Sequence, residues 1–398
     1  MKIEPRTLKG FRDFLPNEAR KRQYVINILK RVFESYGFEP LETPTLEYAE
    51  ILTGKYGDEG DKLMYRFKDK GDRDVAMRYD QTVPLARVVA QYGEKIPMPF
   101  KRYQIQNVWR AENTQKGRFR EFLQCDIDTV GSYNVSSDIE IISCISSGLK
   151  KLGFNDFKII VNDREIFKDV PQKAITIIDK LKKIGEDGVK AELKEKGFDS
   201  NILENIRTSK QTERIMNIFS NSQFSALSSQ LTFSPTLARG LDYYTGLIFE
   251  IEIEGYSAGS VAGGGRYDEL IGMFTDKKIP AVGGSLGFDR LIDAMEELNL
   301  FPKDLQTTKV LVLNLPNLED KAMEIAGKLR LTEINAEVYL DSDVEKGKQF
   351  AYAEKKNIPY TISILENETF TLGWKNENGE VEKKENLSFE NLLEQLEK

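Results

Sequence analysis

Histidine does not occur anywhere in the 398 residues. That excludes Ser-His-Asp and Cys-His catalysis outright. It also removes the commonest metal ligand and the usual side-chain base near neutral pH. Cysteine is scarce: Cys125 and Cys144 are too few for a disulfide framework or a zinc site. The cytoplasm is therefore the expected compartment. No uncharged apolar run is long enough to span a membrane, so no membrane partner is expected. The opening "MKIEPRTLKGFRDF" lacks the apolar core of a signal peptide. Positive charge is not in excess either. Lys+Arg number 57 against 64 Asp+Glu, a net charge of −7. This argues against non-specific coating of nucleic acid but permits grips through local patches. Arginines, carboxylates, bound metal ions and positioning remain to do any chemistry.

What is present is an ordinary globular composition, 40% hydrophobic and 30% charged. The length exceeds one core and suggests two or three domains. "NEARKRQYVINILKRVFESYGF" reads as an amphipathic helix with Val25, Ile28, Leu29, Val32 and Tyr36 on one face, ended by Gly37. "DVAMRYDQTVPLARVVAQYG" reads as a strand followed by a helix with Pro84 in its first turn. "FKRYQIQNVWRAE" and "EFLQCDIDTVG" alternate as strands, joined by the polar turn "NTQKGR". Residues 165–235 are rich in Lys and Glu and helical in pattern, which suggests a helical insertion. Over 165–200, eight lysines meet eight acids, so this is no basic patch. Strand signals return at 245–254 and 257–264. From 309 onward strands and helices alternate, as expected for a separate small α/β domain. It ends in a hairpin at Asn378-Gly379 and a last helix, "SFENLLEQLEK".

Three features could carry chemistry. Residues 101–120 hold Lys101, Arg102, Arg110, Lys116, Arg118 and Arg120 against the single acid Glu112. Arginine forks on such a hairpin suit phosphate, although an exposed hairpin with solvated charges gives the same pattern. On the next strand Gln124, Asp126 and Asp128 alternate and so share a face. The glycine clusters in "VAGGGRYDEL" and "AVGGSLGFDRL" match no strong nucleotide-loop signature. They permit either close backbone approach to a ligand or tight strand packing. In "ARGLDYYTG", Tyr243 and Tyr244 would point to opposite faces if both lay in a strand, one in the core and one in a pocket.

The set "RYDQTVPLAR", "NVWRAENTQKGRFREFLQCDID", "ARGLDYYTG", "GGGRYDEL" and "GGSLGFDRL" resembles the histidyl-tRNA synthetases, a family of class II aminoacyl-tRNA synthetases. The likeness runs from "LKGFRDFLP" to "GKQFAYAEKKNIPY" and is loosest in the insertion. It implies an α+β fold, with a class II antiparallel-sheet catalytic domain, a helical insertion and a C-terminal α/β anticodon-binding domain. The expected boundaries are 1–305 for the catalytic domain, with the insertion at about 165–235, and 306–398 for the anticodon-binding domain.

The resemblance also implies a reaction. ATP and L-histidine would form histidyl-adenylate, and the histidyl group would pass to the 3′ end of tRNA(His). Arg110 would bind the α-phosphate, Glu112 the adenine side, and Arg290 the γ-phosphate or adenine. Arg239 would reach both the α-phosphate and the histidine carboxylate, which makes Arg239 and Arg110 the expected catalytic residues. Asp80, Thr82 and Gln124 match the ammonium-binding positions. Asp128 matches the acceptor for a ring N–H, and Tyr244 and Tyr267 the walls of the ring slot. Asp242 would be a supporting partner. Gln115, Arg118 and Arg120 would meet the tRNA acceptor end. Mg2+ would accompany ATP without a dedicated protein site. The segment "EPLETPTLE" and the first helix resemble the motif that forms the homodimer interface. Leu123, Asp128 and Trp109 depart from the commoner family residues and bear on pocket shape. The alternative reading is a histidine-sensing regulatory subunit of ATP phosphoribosyltransferase that does not charge tRNA. Paralogues of that kind lack the C-terminal domain and tend to lose the arginines retained here.

Overall fold

The structure is a computed structural model that describes residues 3–54, 57–114, 118–199, 201–222, 227, 229–239, 243–365, 367–376 and 378–397. It divides into two compact units, Met1–Phe301 and Pro302–Lys398.

The first unit contains strands β1 (Glu39–Pro40), β2 (Leu46–Tyr48), β3 (Arg66–Lys68), β4 (Asp74–Met77), β5 (Phe100–Trp109) and β6 (Glu121–Val130). These are followed by β7 (Phe157–Asp163), β8 (Leu231–Phe233), β9 (Leu247–Ile253), β10 (Ala262–Arg266) and β11 (Ala281–Gly287). Eight of them make one sheet in the order β1-β5-β6-β11-β10-β9-β7-β8. The six central strands are antiparallel throughout, and only the short edge strands β1 and β8 pair in parallel. Strands β2, β4 and β3 form a separate small sheet.

Alternation decides which face of the large sheet is core. On β6, Cys125 and Ile127 point to one side and join a cluster with Val25, Leu29 and Phe33 of helix α1 (Pro16–Ser35). The periodic apolar face of α1 is thus buried as its spacing requires, and Gly37 just beyond it takes φ +78. Two short helices, α2 (Ala49–Leu52) and α3 (Gly57–Lys62), precede α4 (Thr82–Tyr92), which has Pro84 in its first turn. Helix α5 (Val135–Lys151) adds Ile141, Ile145 and Leu149 to the same core. The opposite face of β6 carries Gln124, Asp126 and Asp128.

Four helices occupy the segment between β7 and β8: α6 (Gln172–Ile178), α7 (Leu181–Glu195), α8 (Ile202–Arg207) and α9 (Glu213–Ser220). Residues 231–233 are not helical. They pair with Ile159–Val161 at the sheet edge. After β11 comes α10 (Phe288–Glu297).

Two strand expectations are corrected. Tyr243 and Tyr244 precede β9 instead of lying in it, so the opposite-face argument does not apply to them. The strand expected at 257–264 begins at Ala262 and runs through the glycines to Arg266. Glycine can serve as strand here because the backbone of β10 pairs on both sides, with β9 and β11.

The second unit has strands β12 (Val310–Val312), β13 (Ala336–Val338), β14 (Tyr360–Ile364), β15 (Phe370–Lys375) and β16 (Val381–Leu387), ordered β13-β12-β14-β15-β16. Helices α11 (Glu319–Leu331), α12 (Lys346–Lys355) and α13 (Phe389–Leu396) complete it. Gly379, at φ +81, turns the β15–β16 hairpin.

Arg266, at the end of the glycine strand, points away from that strand's open face. Its side chain is 1% exposed. It donates to Asp138 at 2.6 Å, the Ser137 hydroxyl at 3.0 Å and the Ser132 carbonyl at 2.9 Å, tying β10 to the start of α5. Arg214 of α9 also meets Asp138. Burial pushes the Asp138 carboxyl up, and Arg266 and Arg214 oppose that shift. Truncating Arg266→Ala leaves a fully buried carboxylate short of one cation and should cost about 3 kcal/mol or more. Urea denaturation measures this, and a loss below about 1 kcal/mol would show that the pair contributes little.

Candidate active site

The polar face of the large sheet forms the floor of a cavity of about 520 Å³. Its shape comes from missing side chains. Gly263 and Gly265 of β10 and Gly283 of β11 turn towards the cavity, and side chains from other elements lie across them. A Cβ at Gly263 would overlap the Arg239 guanidinium, and one at Gly283 would overlap the Asp128 carboxylate. One at Gly265 would stand 2.8 Å from the Tyr244 ring. Gly264 and Gly284 instead meet backbone and core. The glycines are thus tightly packed on both faces, by side chains on the cavity side and by backbone and core on the other.

Asp80, Thr82, Arg110, Glu112, Arg118, Gln124, Asp128, Arg239, Tyr244, Tyr267 and Arg290 all line this cavity. Arg120 does not line it. Its guanidinium donates to the Glu112 carbonyl at 3.1 Å and braces the hairpin from behind. Gln115 and Asp242 lie outside the described residues.

The basic run at 101–120 turns out to be several features, because β5 alternates. Lys101 faces the core side and pairs with Glu140 at 2.8 Å. Arg102 faces the cavity side, is wholly buried, and pairs with Asp128 at 2.7 Å. Arg110 lies past the end of β5. Its side chain donates to the Tyr79 carbonyl at 3.1 Å and lies 4.4 Å over the Tyr79 ring. Arg118 is more than half exposed and 3.6 Å from Glu112.

Register gives the cavity a direction. Along the β6–β11 pair, Asp128 is opposite Gly283, Asp126 opposite Ser285, and Gln124 opposite Gly287. Gly283 and Gly287 are four strand residues apart, about 13 Å. Asp128 occupies the Gly283 end, and Asp126 lies one step further along at Ser285. Arg290 follows Gly287 and donates to the Ser260 carbonyl at 2.7 Å. Arg110 is at that end too, beyond the Trp109–Glu121 pair. Arg239 packs on Gly263, which pairs with Ser285 and so lies midway. Its guanidinium donates to the Phe249 carbonyl at 3.3 Å and is 3.7 Å from Glu250.

At the acidic end, the Tyr267 hydroxyl donates to Asp128. Burial raises the Asp128 carboxyl, and Arg102 and Tyr267 pull it back. Tyr243 packs on Tyr244 and Tyr267, with ring centroids 4.9 and 6.0 Å away. Both tyrosines of "DYY" line the cavity, so neither is simply core. Asp80 caps α4 by accepting from the Val83 N–H at 3.1 Å.

Sequence reasoning missed several members. Arg102 was visible only as part of a charge run. Asp126 was on the alternating stripe but had no role. Arg12 gave no signal at all. It pairs with Asp289 at 3.0 Å and lies 3.2 Å over the Phe119 ring, joining the N-terminal segment to the hairpin and to α10.

An antiparallel sheet with an arginine-bearing hairpin, a glycine floor and a strand-to-helix arginine, beside a separate α/β unit, defines a class II aminoacyl-tRNA synthetase. The comparisons agree. Residues 10–194 and 170–291 match the family profile for histidyl-tRNA synthetase, and residues 309–398 match an anticodon binding domain. The histidine–tRNA ligase of Treponema denticola is 41% identical over 91% of this chain and 89% of its own. The crystal structure of histidyl-tRNA synthetase from Nostoc sp. PCC 7120 superposes with a TM-score of 0.79 at 29% identity, covering 100% of this chain and 99% of that one. An ATP phosphoribosyltransferase regulatory subunit/histidyl-tRNA synthetase from Bacillus halodurans shares the fold at 22% identity, with a TM-score of 0.74, over 92% of this chain and 98% of its own. The chain belongs to the histidyl-tRNA synthetase family.

The floor predicts its own sensitivity. Gly283→Ala should push Asp128 off Arg102 and destabilise the fold by about 1–3 kcal/mol. Gly272→Ala, whose Cβ would meet only the Lys277 carbonyl at 3.7 Å, should be nearly neutral. Thermal melts of the two variants compare them directly, and equal melting temperatures would contradict the crowded floor.

Proposed function

We propose that this chain is a histidine–tRNA ligase that activates L-histidine with ATP and passes it to the 3′ end of tRNA(His). The order of charges along the cavity carries the reading. Asp128 stands at one end, Asp126 and Arg239 level with Ser285 in the middle, and Arg110 and Arg290 with Glu112 at the other, about 13 Å from the Asp128 end along the strands. An aminoacyl-adenylate has the same order: ammonium and ring, then the carboxyl–phosphate junction, then the nucleotide.

In the first step a histidine carboxylate oxygen attacks the α-phosphorus and pyrophosphate leaves. The nucleophile is already ionised, so no general base is needed and a chain without histidine is adequate. Its task is alignment and neutralisation of charge in a site that excludes water. Arg239 is assigned to the junction and Arg110 to the α-phosphate. Glu112 is assigned to the adenine side and Arg290 to the far end of ATP. Asp80, Thr82 and Gln124 are assigned to the ammonium, and Asp128, Tyr244 and Tyr267 to the ring. A buried acceptor and tyrosine hydroxyls reject side chains that leave them unpaired.

Mg2+ is proposed to arrive with ATP and to neutralise its β- and γ-phosphates. Among the described residues no group of three or more metal-ligating side chains stands ready to cage an ion. Arg118, with Gln115 and Arg120 on the same hairpin, is assigned to the tRNA acceptor end. The unit at 306–398 is assigned to the anticodon and the helices near 165–235 to the acceptor stem. The catalytic domain is assigned to 1–305, and a cytoplasmic homodimer is the proposed working form. Among the described residues no helix is long and apolar enough to cross a membrane.

Amino-acid-dependent ATP–pyrophosphate exchange over all twenty amino acids tests the reading. Exchange is expected with histidine alone, falling at least about 100-fold in Arg239→Ala, as for loss of one donor to developing charge. Histidine binding without exchange would favour a histidine-sensing regulatory subunit instead. Exchange with another amino acid would keep the class and overturn the ring assignments.

A further inference from the structure

One buried carboxylate in the cavity has no assignment. Asp126 is 3% exposed, lies on β6 between Gln124 and Asp128, and lines the cavity. Its Oδ1 has no hydrogen-bond partner among the described residues. The neighbours that could satisfy it are engaged elsewhere. Gln104, opposite it on β5, gives its amide to Thr43 at 2.8 Å and Gln106 at 2.6 Å. Arg102 pairs with Asp128. Among the described residues the Ser285 hydroxyl, opposite on β11, donates to Asp126, and Arg102 supports it by charge alone. An unfilled acceptor in a buried carboxylate is costly unless a ligand completes it.

Charge counting points the same way. The groups facing Asp126 are Arg102 from β5, Asp128 on its own strand, Asp80 ahead of α4, and Tyr244 ahead of β9, with the buried Cys125 thiol adjacent. Asp126 and Asp128 thus share Arg102, and the Asp80 carboxylate adds a further negative charge nearby. A ligand ammonium offsets one excess negative charge and leaves one more.

We propose that Asp126 is a second specificity-determining carboxylate, which accepts a hydrogen bond from the amino-acid ring so that the site binds the ring as imidazolium. Asp128 takes one ring N–H and Asp126 the other. The inference rests on the histidine reading above. It also has a pH signature. Burial, chiefly, pushes the free Asp126 carboxyl up to about 7, with Asp128 adding to that and Arg102 opposing it. A free histidine ring titrates near pH 6.5, roughly. At pH 8 both are deprotonated, so forming the complex takes one proton from solvent. Affinity then falls about tenfold per pH unit above pH 7.

The test is calorimetric titration of the full chain with L-histidine at pH 8, in two buffers of different ionisation enthalpy. Wild type should take up about one proton more than Asp126→Asn. Uptake by the ligand's α-amino group is common to both and cancels. Wild type should also prefer histidine over 2-fluorohistidine, whose ring is nearly isosteric but far less basic, at least tenfold more strongly than Asp126→Asn does. Equal proton uptake, or equal discrimination, in the two chains would overturn the role of Asp126 and leave the histidine reading standing. Should Asp126→Asn fail to fold, wild type alone decides. Negligible uptake at pH 8, or indifference to ring basicity, would overturn the proposal. Failure of wild type to bind histidine at all would overturn both.

Discussion

Glycines on the open face of two neighbouring strands are the constraint behind this site. Gly263, Gly264 and Gly265 of β10 pair with Val282–Ser285 of β11, a stretch that itself contains Gly283 and Gly284. Each glycine costs roughly 0.5–1 kcal/mol relative to alanine through lost chain entropy. The cost is met by burying the strands at the centre of the sheet, paired on both edges and backed by α5. In return, Arg239, Tyr244 and Asp128 can lie flat on the sheet instead of standing off it. A sheet with ordinary side chains there would fill its own cavity. Arg266 ends β10 and Arg290 sits in the first turn of α10 directly after β11, so floor, anchor and Arg290 are fixed by one hairpin-like unit.

Charge is the second layer of that arrangement. Arg102 is wholly buried and pairs with Asp128, and Tyr267 donates to the same carboxylate. A buried pair of this kind is weak evidence of stability by itself, since desolvation offsets the attraction. Its evident use is to hold one carboxylate in a fixed place while its neighbour Asp126 stays unneutralised. The arginines of the other end are poised differently. Arg110, Arg239 and Arg290 each donate to a backbone carbonyl, which orients the guanidinium, and Arg239 also has Glu250 at 3.7 Å. A site built for a zwitterion joined to a polyphosphate needs that asymmetry.

Much of this was legible in the sequence, and the limits were physical. Helical and strand periods located α1 and β6, because burial on one side leaves a period of 3.6 or 2. The alternation of Gln124, Asp126 and Asp128 placed three polar groups on one face. What periodicity does not carry is which partner crosses a sheet. Lys101 and Arg102 are adjacent in sequence and opposite in space, so a count of charges merged a core-side pair, a floor and a hairpin into one basic run. The glycines of β10 blurred the bounds of that strand, read at 257–264 but running from Ala262 to Arg266, since a run without side chains has no alternation to read. Tyr243 and Tyr244 would face opposite ways only in a strand, but the chain is still turning at that point and brings both rings to one cavity. Arg12 was invisible because its partners, Phe119 and Asp289, are more than a hundred residues away.

The absence of histidine also narrows what can titrate in the cavity. Burial pushes Tyr243, Tyr244 and Tyr267 above their ordinary range, away from neutral pH. Cys125, on the core side of β6, moves up as well. The arginines stay charged. A carboxylate is ordinarily excluded from neutral-pH chemistry by its low pKa, but burial beside another acid brings Asp126 into that range. The shift of Asp126 towards neutral pH is thus a consequence of where β6 lies in the sheet. In a protein with imidazoles nearby, a transition near neutrality would have many possible owners. Here no imidazole of the protein competes for it.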